Sequence, residues 1–310
     1  MLDSRRSMAK PGRFTILVAT DGSEEATAAV KATTIFPWPE GSRVHVVVVR
    51  TPLPTADIPE SVWTEVDRGL TAVADAARKI LSERWPDAEA RVVDGPTVDA
   101  ILARAQRVGA RAIVLGSHGH GPIARLLLGS ISLGVVRQTK HAALVVRSRP
   151  RGFAHVVLAF DGSRQSRHAV TFVAGLDVPS DGRLTIVRVL EHPALKSLGL
   201  MPASTRAAIA TQAAAVAATE EAKARREVEA AAAELRRAGW TVDIAIRYGA
   251  PLQEILAATK TARAQLLAVG ARGHGRLERL LLGSVAEGAL IVATIARLRS
   301  LAGITNEAPS

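Results

Sequence analysis

The chain has 310 residues, of which 48% are hydrophobic and 22% charged. That is ordinary globular composition, with length enough for about two domains that each bury a core. Forty Lys and Arg against 29 Asp and Glu leave a net charge of +11, while cysteine is absent, which excludes disulfides and thiolate metal sites. Five Phe, four Trp and one Tyr are too few for the aromatic platforms of a single-strand nucleic-acid binder. The basic excess therefore reads as a solvated surface, and nucleic acid is not an expected partner.

In chain order, "MLDSRRSMAKPGR" carries positive charge with no apolar core behind it, which argues against a secretory signal. "FTILVATDGSEEATAAV", residues 14–30, predicts a buried strand, a turn at Asp21 and a helix. The runs "VHVVVV", "ARVV", "AIVLG" and "AALVV" follow, separated by helical patterns. Apolar runs without polar alternation suit strands covered on both faces, and strand–helix alternation is the signature of a doubly wound parallel α/β domain. Pro150 and Gly152 punctuate a linker near "RSRPRG". Domain one is expected over 11–149 and domain two over 152–303.

The second half repeats the first. "HVVLAFDGSRQSRHAV" matches the opening strand, pairing Asp21 with Asp161, and "LTIVRVLEH" matches "VHVVVVRTP". "IRYGAPLQEILAAT" matches "VVDGPTVDAILARA", and "GARGHGRLERLLLGS" matches "GSHGHGPIARLLLGS". Copy two holds 14 extra residues between its second and third strands, within an alanine-rich stretch of strong helix propensity. Its C-terminus, "VATIARLRSLAGITNEAPS", lacks a clear β-branched run. A helix extension or irregular segment is expected over 293–299, and fraying over 304–310. No 18-residue stretch is apolar enough to span a membrane; the absence of cysteine fits the cytoplasmic location expected.

In open α/β sheets, ligands sit beyond the carboxyl ends of the strands, where strand order reverses. Asp21 ends the first strand and Gly116 the fourth, so both face one crevice. The glycine-rich loop after the fourth strand frees backbone N–H groups to converge on an anion, backed by the positive end of the following helix. It is not a Walker A loop, because no Lys-Ser or Lys-Thr follows its last glycine. "GHGPIA" fits G-x-G-x-x-A but follows the wrong strand, which removes the dinucleotide reading. His118 and His120 suggest metal ligation, yet Arg272 replaces His118 in copy two, and that swap suits phosphate contact better. Ser23 and Ser163 read as helix caps rather than nucleophiles, with Asp21 and Glu24 at capping-box spacing. Asp21 and Asp161 could each accept hydrogen bonds from a sugar hydroxyl or a base amine. No set of catalytic acid, base and nucleophile emerges.

These residues resemble the universal stress protein family, in its tandem two-domain form. The resemblance rests on G-x2-G-x9-G-S, present at 116–130 and again at 270–284, together with the aspartate after the first strand. It implies two flavodoxin-like (Rossmann-like) domains, each a five-stranded parallel sheet of order 3-2-1-4-5. It further implies that ATP binds, with or without magnesium. Asp21 and Asp161 would then contact the nucleoside, and the backbones of Val49 and Val189 the adenine. Gly116, Gly119, Gly129, Ser130 and Ile131 would hold ribose and phosphates, as would Gly270, Gly273, Gly283, Ser284 and Val285. The expected role is nucleotide-dependent regulation or stress response, through a homodimer or a protein partner. The alternatives are a slow ATPase or phosphotransferase and a nucleotide-free scaffold.

Overall fold

The computed structural model of the chain describes residues 14–52, 59–117, 129–147, 152–191, 203–270, 283–286 and 295–298. The first half runs β1 (Thr15–Ala19), α1 (Glu24–Ile35), β2 (Arg43–Arg50), α2 (Glu60–Ser82), β3 (Glu89–Asp94), α3 (Thr97–Arg107), β4 (Ala112–Gly116), α4 (Ser130–Gln138) and β5 (Ala142–Val146). The second runs β6 (His155–Ala159), α5 (Arg164–Ala174), β7 (Arg183–Leu190), α6 (Ala203–Arg237), β8 (Thr241–Tyr248), α7 (Pro251–Thr261), β9 (Leu266–Gly270) and β10 (Ile295–Leu298). The extra residues of copy two lengthen α6 to 35 residues, against 23 in α2.

All ten strands form one sheet, ordered β3-β2-β1-β4-β5-β10-β9-β6-β7-β8. Each half has the 3-2-1-4-5 order, and its internal pairings are parallel. β1, β4 and β5 are buried throughout, as strands with helices on both faces must be. The outermost strands β3 and β8 place exposed residues at both ends.

The expectation of a helix extension or irregular segment over 293–299 is corrected by β10. Its backbone pairs parallel with β9 and antiparallel with β5, setting Ile295 opposite both Leu267 and Val145. "IARL" has a single β-branched residue, so local propensity is a poor guide to it. The open edges of β9 and β5 both present unpaired backbone groups, and a segment lying between them satisfies two ladders at once. Residues 304–310 lie outside the described residues.

Because β10 runs against β5, the carboxyl ends of the two half-sheets point to opposite edges of the ten-stranded sheet. Each face carries one continuous core. One joins Val30 of α1 and Leu81 of α2 to Val173 of α5 and Leu235 of α6. The other joins Ile101 of α3 and Val135 of α4 to Ile255 of α7. Aromatic side chains are scarce in the chain, and five of them meet where the halves join. The Phe36 ring packs tilted against Trp38 at 4.2 Å and meets Phe153 of the second half edge-on at 4.8 Å. Phe14 lies 5.8 Å from Trp38 and 6.1 Å from Phe172 of the second half. The Trp38 Nε1–H donates to the Thr33 carbonyl, and the Asp177 N–H donates across the joint to the Pro37 carbonyl at 3.0 Å.

Shared cores and a shared sheet should make the chain unfold as one unit. Phe36→Ala empties a fully buried site at the joint and should cost about 3–5 kcal/mol. Urea unfolding followed by circular dichroism and by tryptophan fluorescence should show one coincident transition for both proteins. Two resolved transitions in the parent would mean that the halves fold independently.

Candidate functional site

In each half, β1 or β6 ends in Asp-Gly-Ser. The Asp21 Oδ1 accepts the Ser23 N–H at 3.0 Å, and the Asp161 Oδ1 accepts the Ser163 N–H at 2.9 Å. Gly22 and Gly162 sit between them at φ +81° and +80°, a left-handed conformation that glycine adopts without strain. Ser23 then caps α1, its Oγ accepting the Ala26 N–H, and Ser163 caps α5 through the Ser166 N–H. The serines are caps, as expected, but the Asp21–Glu24 capping box does not form, since the cap is Ser23 and Asp21 closes the turn before it. Asp21 is exposed and Asp161 half-buried at the sheet edge.

Register brings the other predicted residues alongside. Ala19 lies opposite Val47, so Val49 is level with Asp21 two residues on. Val18 lies opposite Val114, which sets Gly116 level with Thr20. In the second half Ala159 lies opposite both Val187 and Val269, which places Val189 and Gly270 in the corresponding positions. Val49 and Val189 are half-buried and pack on the core that α3, α4 and α7 cover.

Gly116 owes its identity to packing. A Cβ there would lie 2.8 Å from the Ala26 nitrogen and from the Glu25 carbonyl carbon, so the first turn of α1 rests directly on the end of β4. Gly270 repeats this, with the Ser166 nitrogen at 2.9 Å and the Gln165 carbonyl carbon at 3.0 Å. These glycines bring the Asp turn and the strand end together. Past β4, the Gly129 N–H donates to the Ser117 carbonyl at 2.8 Å, and the Ser132 hydroxyl donates to the Gly116 carbonyl at 2.6 Å. The two bonds pin the start of α4 over the end of β4.

Gly129 is the N-cap of α4 and supplies no side-chain cap. The first amides of a helix have no partner within it, and here Ser130 and Ile131 are exposed at that end. An anion would meet N–H groups, the Ser130 hydroxyl and the positive helix end together. In the second half Gly283 and Ser284 open a helical turn over 284–286, with Val285 packed on the core. Gly119, Gly273, His118, His120 and Arg272 lie outside the described residues. Among the described residues, no group of three or more His, Asp and Glu gathers with metal-binding spacing.

The rim also holds charges that the repeat did not reveal. Arg50, at the end of β2, pairs with Asp94 of β3 and Asp67 of α2, and lies 5.9 Å from the Trp63 ring. The bond to Asp94 does most to raise the guanidinium pKa, and Arg50 in turn lowers that of Asp94. The second half has Leu190 at the Arg50 position and Arg188 where the first has Val48. The Arg188 Nε and Nη1 are buried without a hydrogen-bond partner, and Nη1 would lie 3.5 Å from a Cβ on Gly162. An arginine within a "VRVL" strand run was the available signal; the comparison with Val48 makes it legible.

The sequence profile of the Universal stress protein family matches this chain twice, over residues 13–147 and 152–295. A universal stress protein of Mycobacterium tuberculosis is 28% identical over 321 residues, covering 93% of this chain and 97% of the relative. One from Thermus aquaticus is 32% identical over 138 residues, covering 43% of this chain and 98% of the relative. Among solved structures, a universal stress protein from Archaeoglobus fulgidus superposes with a TM-score of 0.65 at 20% identity, covering 92% of this chain and 98% of the other. One from Pseudomonas aeruginosa gives 0.57 at 17% identity, covering 93% of each. With the profile matched once in each half of a duplicated flavodoxin-like fold, this chain belongs to the universal stress protein family.

Proposed function

We propose that the chain is a regulatory protein that binds an adenine nucleotide, ATP by the family resemblance, in one crevice per half. The observation that carries this reading is the placement of three unlike features at one sheet edge. They are an aspartate turn after the first strand, a valine level with it on the second, and a glycine-led helix start pinned over the fourth. An aspartate suits sugar hydroxyls, extended backbone beside a valine suits the edge and face of a base, and an uncapped helix start suits phosphates. The two crevices open at opposite edges of the sheet, so each would fill independently.

Binding without efficient turnover fits the same geometry. The carboxylates placed to accept a proton, Asp21 and Asp161, each have one oxygen committed to their own turn. Magnesium would accompany the phosphates rather than be held by a protein cluster. The β5 edge is taken by β10, so any homodimer or partner would dock elsewhere, and the nucleotide state of the crevices would be what such a partner senses. A cytoplasmic stress-response role follows as the family setting for this activity.

Calorimetric titration with ATP should give about two sites per chain. Gly119→Glu places a side chain and a negative charge where backbone should meet phosphate, and should remove one site while leaving the circular dichroism unchanged. Gly273→Glu should remove the other. A double variant that keeps the parent's affinity and stoichiometry would overturn the reading.

Hydrolysis should be slow or undetectable. Phosphate release faster than about one per second, within the range of ordinary enzymes, would replace a binding protein with an ATPase.

A further inference from the structure

The amino end of the first half-sheet, away from its crevice, carries a cluster that the nucleotide reading does not use. Arg43 and His45 on β2 have the same strand parity as Val47, and Glu89 and Arg91 on β3 the same as Val93, so all four face α3. Arg104 and Arg107 lie in the last turn of α3, which returns to that end. Four guanidiniums, one imidazole and a single carboxylate thus share that end of one face, with Arg43, Arg91 and Arg107 exposed and Arg104 and His45 half-buried. Glu89 is mostly exposed and stands 3.6 Å from the His45 Nδ1, too far for a hydrogen bond. The His45 Nδ1 and the Arg104 Nε are buried without any hydrogen-bond partner, two of only four such side-chain atoms among the described residues. Buried polar atoms left unsatisfied are costly, and an ordered water or an ion is the usual partner that completes them.

The second half is an internal control. At the matching places it has Arg183 for Arg43 and Asp243 for Glu89. His45, Arg91, Arg104 and Arg107 become Thr185, Ala245, Ala258 and Thr261. The fold therefore does not require the extra cations. A helix carboxyl end favours a positive residue, but α7 meets that need with Lys260 alone. The cations also oppose one another. Arg104 is held below its usual pKa by burial first and then by Arg91 and Arg107, with Glu89 pulling the other way. Burial lowers His45, Glu89 partly offsets this, and Arg104 and Arg43 push it down further.

We propose that the first half carries a second anion site, for a small phosphate-class dianion, formed by Arg43, His45, Arg91, Arg104 and Arg107 at the amino ends of β2 and β3. Guanidinium groups match phosphate oxygens in pairs, and one dianion would relieve the mutual repulsion and give both orphaned nitrogens a partner. The site is independent of the nucleotide crevices.

The test follows the His45 imidazole by NMR, its signal assigned by loss in His45→Thr, while pyrophosphate is added at constant ionic strength. The expected result is saturable movement of the His45 signal and a raised titration midpoint, because an anion stabilises the imidazolium that burial, Arg104 and Arg43 oppose and Glu89 favours. Arg91→Ala with Arg104→Ala installs the second half's residues. The double variant should keep the parent's circular dichroism and bind pyrophosphate at least tenfold more weakly at His45. Pyrophosphate held only in the nucleotide crevices would leave His45 unmoved. An unmoved signal, an equal response to sodium chloride, or an unchanged response in the double variant would each overturn the site.

Discussion

The first helix of each half rests on the end of the fourth strand with no room for a Cβ between them. That contact, at Gly116 against Glu25 and Ala26 and at Gly270 against Gln165 and Ser166, fixes the rest of the carboxyl edge. It sets the tilt of α1 and α5, and hence the place of the serine caps and of the aspartate turns ahead of them. It also leaves the Gly116 carbonyl pointing where the Ser132 hydroxyl reaches it, which seats α4. A larger residue would have to push the helix off the strand, and the crevice would lose one wall. Glycine here works by absence of bulk between two backbones, before any ligand is considered.

The join between the halves imposes a second constraint. β10 and β5 pair antiparallel, so the two halves are related by a rotation about an axis through the sheet. The same helices of each half then share a face, and both cores run on without a break. Phe14, Phe36, Trp38, Phe153 and Phe172 gather at this seam, while Trp63 stands at the rim of the first half. The carboxyl edges of the two halves face away from each other across one continuous sheet. Among the described residues, no helix is long and apolar enough to cross a membrane.

Much of the fold could be read directly. The five apolar runs of the first copy became five strands; β1, β4 and β5 are covered on both faces and have no polar side to disguise them. Both serine caps were legible because Asp-Gly-Ser before a helical pattern has one simple structural use. Strand β10 was not legible, since its conformation is dictated by the two open edges beside it and not by "IARL". Gly116 was legible as a special position, while its reason, contact with α1, depends on a neighbour 90 residues earlier in the chain. Arg188 stands out only against Val48 of the other copy, and the Arg91–Arg104 cluster only once register shows which residues share a face. Within a single sequence they look like the scattered arginines of a basic protein.

The two copies share a frame and differ in charge around it. Arg50 is tied to two acids in the first half, and Arg188, half-buried, stands beside the turn in the second. Equal frames with unequal surroundings suit two sites of like chemistry and unlike affinity. Amide chemical shifts of the whole chain, recorded with and without ATP, test this account most directly. Changes should be confined to two clusters, Asp21–Ser23 with Val49, Ser130 and Ile131, and Asp161–Ser163 with Val189, Ser284 and Val285. Changes centred elsewhere, or none at saturating ATP, would contradict it.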